Sequence, residues 1–468
     1  MKQFLLFIVL FGANAMACSQ TIEQQNVLRF DEYLGYVKKF HPVVKQAELV
    51  IDESLAKLLK SRGAFDPKLE VDYAKKQFKN TTYYDKLNGT FKIPTWYGVE
   101  LKATFDENSG DYLNPEAFVP EDGLYSAGVS VQLGQGFLIN NRMASLKQSK
   151  LYKEQAILDR DIYVNNILYD ASLVYFKWLQ AYNELKLFEN ILSNAEQRYL
   201  GIKKGVEVGE NANIDATEAR IAVNNRKLGL EQARVALMKA TLELSNYLWL
   251  ENNIPVELQP NVIPDVNSEA IIDATFSINQ LENDEVFLNS HPKMMSLDYK
   301  LESLQVDKRL KSNKLLPKIG VDYNFITENP DVARTFNTAE YKGGLNVSFP
   351  LFLRKERGDL KLAKIKIQDT EFEISATKVN LQNKINALKK ELQSYTIQNE
   401  ITTEMVSDYQ LMLTAEERKF ELGESSLFLV NSRESKLIDG QLKAFQIQNK
   451  YFSTKAKLFN SLAVNPEL

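Results

Sequence analysis

Cysteine is nearly absent: Cys18 is the one example in 468 residues, and histidine occurs twice. A single thiol excludes a disulfide framework within the chain. One cysteine and two histidines fall short of the roughly four Cys/His ligands of a structural zinc site. No charge sign dominates, with 57 basic and 61 acidic residues and a net charge of -4. A nucleic-acid partner would call for a basic excess, so none is expected. The chain has no Walker A loop and no G-x-G-x-x-G. No Ser/His/Asp or metal-ligand grouping stands out, so no enzyme activity and no cofactor are expected. After the N-terminal segment, no stretch is apolar for the about 20 residues a spanning helix needs. What remains is ordinary folded protein, 44% hydrophobic and 25% charged. Its length suggests about three domain-sized units.

Residues 1–17 read as an export signal. Lys2 supplies the positive start, Phe4 to Phe11 the apolar core, and Ala15-Met16-Ala17 the cleavage site. Cys18 follows directly. Two readings stay open: an acyl-anchored first residue of a lipoprotein, or simply the first residue after ordinary cleavage. Its position favours lipidation; Ala15, where lipoproteins usually carry Leu or Val, counts against it.

The rest is an internal duplication. Both histidines precede proline, as His41-Pro42 and His291-Pro292. Each pair is followed 25 residues later by Pro-Lys, at Pro67-Lys68 and Pro317-Lys318, and then by Val71-Asp72-Tyr73 and Val321-Asp322-Tyr323. Two rare residues and a tripeptide at one offset are a strong repeat signal. The segments Tyr125–Leu133 and Tyr341–Phe349 match at a smaller offset, which leaves 34 extra residues in the first half, among residues 80 to 123. Such equivalence assigns His41 and His291 a structural role.

Residues 137–200 and 359–422 are 64-residue runs without glycine or proline. As helices they would each span about 96 Å, where globular helices average about 11 residues. Each run ends at an acidic glycine turn, Gly209-Glu210 or Gly423-Glu424, followed by about 40 more helix-compatible residues. Pro255, Pro260 and Pro264 mark a linker. The chain thus divides into the signal (1–17), a first repeat (18–254), a linker (255–282) and a second repeat (283–468). Each repeat reads helix, strand, strand, long helix, turn, helix.

Val164, Leu168, Ala171, Tyr175, Trp178, Tyr182 and Leu185 step by four and three, a heptad seam. Ile367, Ile374, Leu381, Leu388 and Tyr395 recur every seven, with Ile385 and Leu392 beside them. Coiled coils are one reading and a core-only bundle the other. Between the helices, Val99, Leu101, Ala103 and Phe105 alternate with polar residues, as do Val129, Val131 and Leu133, then Val321, Tyr323 and Phe325. This is the pattern of half-buried strands. The apolar face meets either a second sheet or lipid. Tyr83, Tyr84, Trp96, Tyr97, Tyr112 and Phe352 cluster at strand ends, which suits a membrane interface. About four strands per chain are too few to close a barrel, and lipid does not tolerate open edges. Three copies would supply about twelve, within the known range. The 34 extra residues add either a hairpin or an external loop.

The repeated HP-x(24)-PK start, the junction Ser348-Phe349-Pro350-Leu351-Phe352, the segment Tyr175-Phe176-Lys177-Trp178-Leu179 and the turns Val208-Gly209-Glu210-Asn211-Ala212 and Phe420-Glu421-Leu422-Gly423-Glu424 together resemble the TolC-type outer-membrane factor family. The resemblance covers nearly all of the mature chain. It implies a mainly α fold with β: a long coiled-coil helical barrel in the periplasm and a trimeric transmembrane β-barrel in the outer membrane of a Gram-negative bacterium. It also implies a homotrimer in outer-membrane lipid that meets a periplasmic adaptor protein and an inner-membrane transporter and passes substrate unchanged. A periplasmic coiled-coil scaffold without a pore is the alternative, and a surface fibre is a third.

The resemblance places the tip, gate and adaptor contact at Val208, Gly209, Glu210, Asp215, Phe420, Leu422, Gly423, Glu424, Ser425 and Leu429. In the family an Asp, matched by Asp215, bonds a Tyr and an Arg on a neighbouring coil. Here those two positions are Phe420 and Ser425, without hydroxyl-bearing ring or charge, and the family's two further pore-facing aspartates fall at Leu429 and Ser432. Closure therefore needs other contacts, such as an apolar constriction at Leu429 that gates by dewetting. Glu210, Glu424 and Asp215 either attract cations or serve as ordinary carboxylates at helix N-termini.

Overall fold

The structure is a computed structural model that describes residues 26–277, 288, 290–329, 331 and 337–465. The export signal, Cys18 and the end of the linker lie outside the described residues. Helices α1 (Phe30–Phe40) and α2 (Pro42–Arg62) open the chain, and α3 (Asn141–Glu207) and α4 (Asn213–Ser245) form the first long hairpin. After α5 (Glu269–Phe276), the second half runs through α6 (Pro292–Asn313), α7 (Arg354–Glu421) and α8 (Leu427–Leu462). With 67 and 68 residues, α3 and α7 are each about 100 Å long.

The two histidines explain where α2 and α6 start. Each is an N-cap with proline at the first helical position, where a missing N–H costs nothing. The Nδ1 of His41 accepts the Val43 N–H at 3.2 Å, and that of His291 accepts the Lys293 N–H at 3.1 Å. Burial lowers the pKa of both.

Aromatic residues from both halves and the linker build the main core. Phe30 and Tyr33 of α1 meet Tyr175 and Phe176 of α3, Phe276 of α5 and Phe452 and Phe459 of α8. The Tyr175 hydroxyl donates to the Leu28 carbonyl at 2.9 Å, fixing the short parallel pair β1 (Asn26–Leu28) and β8 (Val262–Pro264) beside α3. A second short pair, β6 (Trp249–Leu250) and β7 (Ile254–Pro255), follows α4. On α3, Val164 through Trp178 of the heptad seam are buried, while Tyr182 and Leu185 are only half-buried. The buried line moves over to Ala181, Leu187 and Ile191, because 3.6 residues per turn drift from a 3.5-residue repeat. On α7, Ile385 and Leu388 are buried, and Ile367, Ile374, Leu381, Leu392 and Tyr395 are half-buried.

The expectation of four strands is corrected by the sheet itself. Six strands form one antiparallel sheet in the order β10 (Tyr341–Ser348), β9 (Lys318–Thr327), β5 (Leu124–Gly134), β4 (Val99–Ser109), β3 (Thr81–Pro94), β2 (Lys68–Phe78). The 34 extra residues are the hairpin β3–β4, inserted between strands whose counterparts in the second half are adjacent. Lys79 and Asn80, both with positive φ, make the two-residue turn that joins β2 to β3 and matches strand twist. Binary alternation made this hairpin hard to assign, because β3 carries polar residues and a glycine where its partners carry large apolar ones.

The register puts mostly apolar side chains on one face and mostly polar ones on the other. Leu69, Phe91, Ala103, Ala127, Phe325 and Tyr341 follow one another across the six strands on one side. Glu70, Thr90, Thr104 and Ser126 do so on the other. The apolar side is open: Leu69 is 73% and Leu345 71% exposed. At one end of the sheet Tyr83 lies 4.6 Å from Tyr112, and at the helical end Trp96 stacks on Phe65 at 5.5 Å. Among the described residues, no helix is long and apolar enough to cross a membrane.

Candidate functional site

The sheet sits at one end of α3 and α7, and two helical turns sit at the other. The turns are built alike. Gly209 and Gly423 follow the C-caps Val208 and Leu422 with φ of 80° and 77°, a left-handed conformation that glycine adopts without strain. The Glu210 N–H reaches back to the Gly205 carbonyl at 2.8 Å, and the Glu424 N–H to the Lys419 carbonyl at 2.8 Å. These bonds satisfy the last carbonyls of each long helix and reverse the chain. Glu210 and Glu424 thus contribute their backbone to the turns.

The next helices are capped in complementary ways. At α4 the N-cap is Ala212, and the Asp215 carboxylate accepts the Ala212 N–H at 3.2 Å. At α8 the N-cap is Ser426, whose hydroxyl accepts the Leu429 N–H at 3.4 Å. Asp215 is therefore engaged with its own helix. Phe420 points into apolar company, Ile202 and Leu427 on one side and Leu413 and Val430 on the other. The Ser425 hydroxyl donates to Glu416 at 2.6 Å. That bond, with Arg433 behind it, lowers the pKa of Glu416. The structure thus gathers Phe420 and Ser425 into the interior of the tip and leaves Val208, Leu422 and Leu429 on its surface.

Two features of this end were not singled out from the sequence. The first is the exposed apolar pair Ile214 and Phe428, at 70% and 67%, which stand at matched positions of the two turns beside the already named Val208 and Leu422, at 71% and 67%. Their shared offset from the glycines was the available signal. The second is a charged cluster farther along the helices from the turns. Glu434 of α8 is buried, its side chain 3% exposed. It accepts from Arg198 of α3 at 3.2 Å and from Arg226 of α4 at 3.2 Å. Arg198 also reaches Glu417 of α7 at 2.8 Å. Four helices meet through four side chains. The residues lie too far apart in sequence for any motif to join them.

Along the shaft, α4 exposes Ile214, Ile221, Leu228, Val235 and Leu242, one every seven residues. On α7, Ile365, Phe372 and Val379 are exposed at the same period. Heptad stripes of this kind are coiled-coil seams without a partner helix in the protomer. Among the described residues, no group of three or more His, Cys, Asp or Glu side chains is placed to hold a metal ion.

Comparison with curated proteins finds no match in sequence. The match lies in one domain and in the fold. Residues 285–464 match the family model described as outer membrane efflux protein. The open-state MtrE outer membrane channel of Neisseria gonorrhoeae superposes with a TM-score of 0.67 at 12% identity, over 93% of this chain and 89% of that one. The CmeC outer membrane channel of Campylobacter jejuni gives 0.63 at 13% identity, over 93% and 85%. The outer membrane protein VceC of Vibrio cholerae gives 0.63 at 11% identity, over 93% and 96%. These relatives are channel and outer-membrane proteins, not enzymes. Residues 285–464 thus resemble the outer membrane efflux protein domain, and the chain as a whole shares the fold of the solved outer-membrane channels it superposes on.

Proposed function

We propose that three copies of the chain form a passive export duct. The sheets would make a barrel in the outer membrane of a Gram-negative cell. The long helices would line a periplasmic tunnel about 100 Å long. The turns around Gly209 and Gly423 would form the inner end, where a periplasmic adaptor and an inner-membrane transporter dock and supply energy. Cargo would pass without chemical change.

One observation carries this reading. The sheet is apolar across one face over all six strands, and that face is uncovered at Leu69, Val71, Tyr73, Leu345 and Val347. In water such a surface is a liability. In lipid it is the outer wall of a barrel, and the polar face is the lumen. Aromatic clusters at both ends of the strands suit the two interfaces. The heptad stripes on α4 and α7 call for neighbouring copies. At the tip, Val208, Ile214, Leu422 and Phe428 offer an apolar surface for the adaptor. Leu429 lies near enough to serve as an apolar constriction, and Glu434 with its two arginines holds the hairpins together at rest.

The test is single-channel conductance of the detergent-extracted protein in a planar bilayer. Discrete steps from a stable oligomer are expected. Folded protein that never inserts or conducts would leave a periplasmic coiled-coil scaffold as the better description.

A further inference from the structure

Resting on the trimeric-duct reading, we propose that the outer-membrane wall is an eighteen-stranded barrel, six strands per copy, closed by β2 of one copy pairing with β10 of the next.

The inserted hairpin belongs to the wall. β3 is paired along its length with β2 on one side and β4 on the other, and β4 pairs onward to β5. Phe91 of β3 stands between Leu69 and Ala103 on the apolar face, so the hairpin continues the lipid-facing surface. Its helical end is fastened. The Asn140 side-chain amide donates to the Trp96 carbonyl at 3.1 Å, and Arg142 pairs with Glu100 at 2.7 Å. A loop outside the wall would need none of these.

The remaining edges fit each other. Every neighbouring pair in the sheet is antiparallel, so with six strands β2 and β10 run in opposite directions. An odd number would have forced a parallel closure. All residues of β2 and of β10 are exposed, and both strands leave one ladder of backbone groups unpaired. Within a bilayer such edges must find a strand. On the polar face, Asp72 near the β2 edge and Lys342 on β10 carry opposite charges. A second copy satisfies the backbone, the apolar face and the charge together.

The consequence is a wide exit. Barrel diameter grows roughly linearly with strand number, so this wall is about 1.5 times as wide as a twelve-stranded one. Its opening is about twice the area, which suits bulkier cargo than a twelve-stranded exit admits.

The experiment is disulfide mapping in full-length protein in outer-membrane vesicles. Val71→Cys is combined in turn with Gly343→Cys, Leu345→Cys and Val347→Cys, with each single variant as control. A second series replaces Val71→Cys by Leu101→Cys on β4. Native mass of the extracted protein reports the oligomer independently. The expected result is a trimer in which mild oxidation links β2 to β10 between copies in at least one register, with no β4–β10 link. A trimer linked through β4 and β10 overturns the eighteen-stranded wall and leaves the duct intact, because the hairpin then stands outside the barrel. A trimer with no link in either series also overturns it. Absence of any trimer overturns the duct reading and this inference with it.

Discussion

The two long helices are nearly equal in length and opposite in surroundings. Of the 67 residues of α3, eighteen are buried; of the 68 of α7, six are. α3 is the spine of the protomer, packed by α1, α2, α4, α6 and α8, while α7 rests mainly on α6 and α8 and leaves its other side open. Equal sequence length thus conceals a division of labour. Burial within one copy stabilises α3, and α7 and α4 carry the stripes that neighbouring copies would cover. Helices of equal length need not be energetically equivalent when one of them leaves a face open.

The most drastic way to break the comparison is to charge an outward stripe. Leu228→Asp with Val235→Asp on α4 should leave the helical content of the monomer near normal and abolish the stable oligomer. Circular dichroism and native mass measured on one sample separate the two effects. Loss of folding along with loss of oligomer would mean that α4 is stabilised within the protomer after all. The converse test lies on the spine. Trp178→Ala removes a fully buried ring among Phe30, Tyr175 and Phe176 and should cost about 3–5 kcal/mol of protomer stability. Denaturant unfolding in detergent reads it, and the matching change Phe372→Ala on α7 should cost the monomer far less.

Next comes the contact that joins the two hairpins. Glu434→Gln leaves Arg198 and Arg226 facing each other with no buried anion between them. Breaking a buried ion pair from one side costs about 3–5 kcal/mol. The loss should appear at the tip as a larger single-channel conductance, with the oligomer intact. Unchanged conductance would show that the cluster stabilises the hairpins without holding them closed.

How much of this was legible depends on the range over which each signal acts. The helices were readable because the absence of glycine and proline over residues 137–200 and 359–422 is a local property. So were both turns, where positive φ demands glycine at 209 and 423. A structural role for the two histidines followed from their repetition beside proline, though not that each caps a helix. The strand count was not readable. Gly89, Asn88 and Thr90 dilute the alternation of β3, and only pairing on both sides makes it a strand. The Arg198–Glu434–Arg226 cluster was invisible for a related reason: it exists only once two hairpins are brought side by side. At the tip, the resemblance pointed to Asp215 as a bond to a neighbouring coil; within the protomer that carboxylate caps Ala212.

The histidine caps give a smaller effect, shared by both halves. Burial lowers the pKa of His41 and His291 below the usual imidazole value. The unfolded chain therefore binds protons first as pH falls through about 6.5. Stability is full above that value and declines as pH drops toward the lowered pKa of the folded state. Protonation also places a hydrogen on the Nδ1 that accepts the Val43 or Lys293 N–H. Thermal unfolding should shift to lower temperature between pH 7.5 and 5.5. Asn at both positions keeps a capping oxygen, so His41→Asn with His291→Asn should flatten this part of the pH dependence. An unchanged slope would assign it to carboxylates.

The smallest effect sharpens the comparison most finely, because the two turns each hold half of one capping arrangement. A full capping box has a side-chain acceptor at the N-cap and a carboxylate three residues on. The α4 turn has only the carboxylate, Asp215, and the α8 turn has only the hydroxyl, Ser426. Ala212→Ser should complete the first box and stabilise α4 by about 1 kcal/mol. Asp215→Ala should remove what capping there is and cost about the same. Hydrogen exchange at the Ala212 and Asp215 amides reads both changes locally. If Asp215 only caps, Ala212→Ser combined with Asp215→Ala restores helix protection and leaves conductance as it was. If conductance and cation preference change with Asp215→Ala and are not restored by the serine, the carboxylate acts on the permeating ion as well as on its own helix.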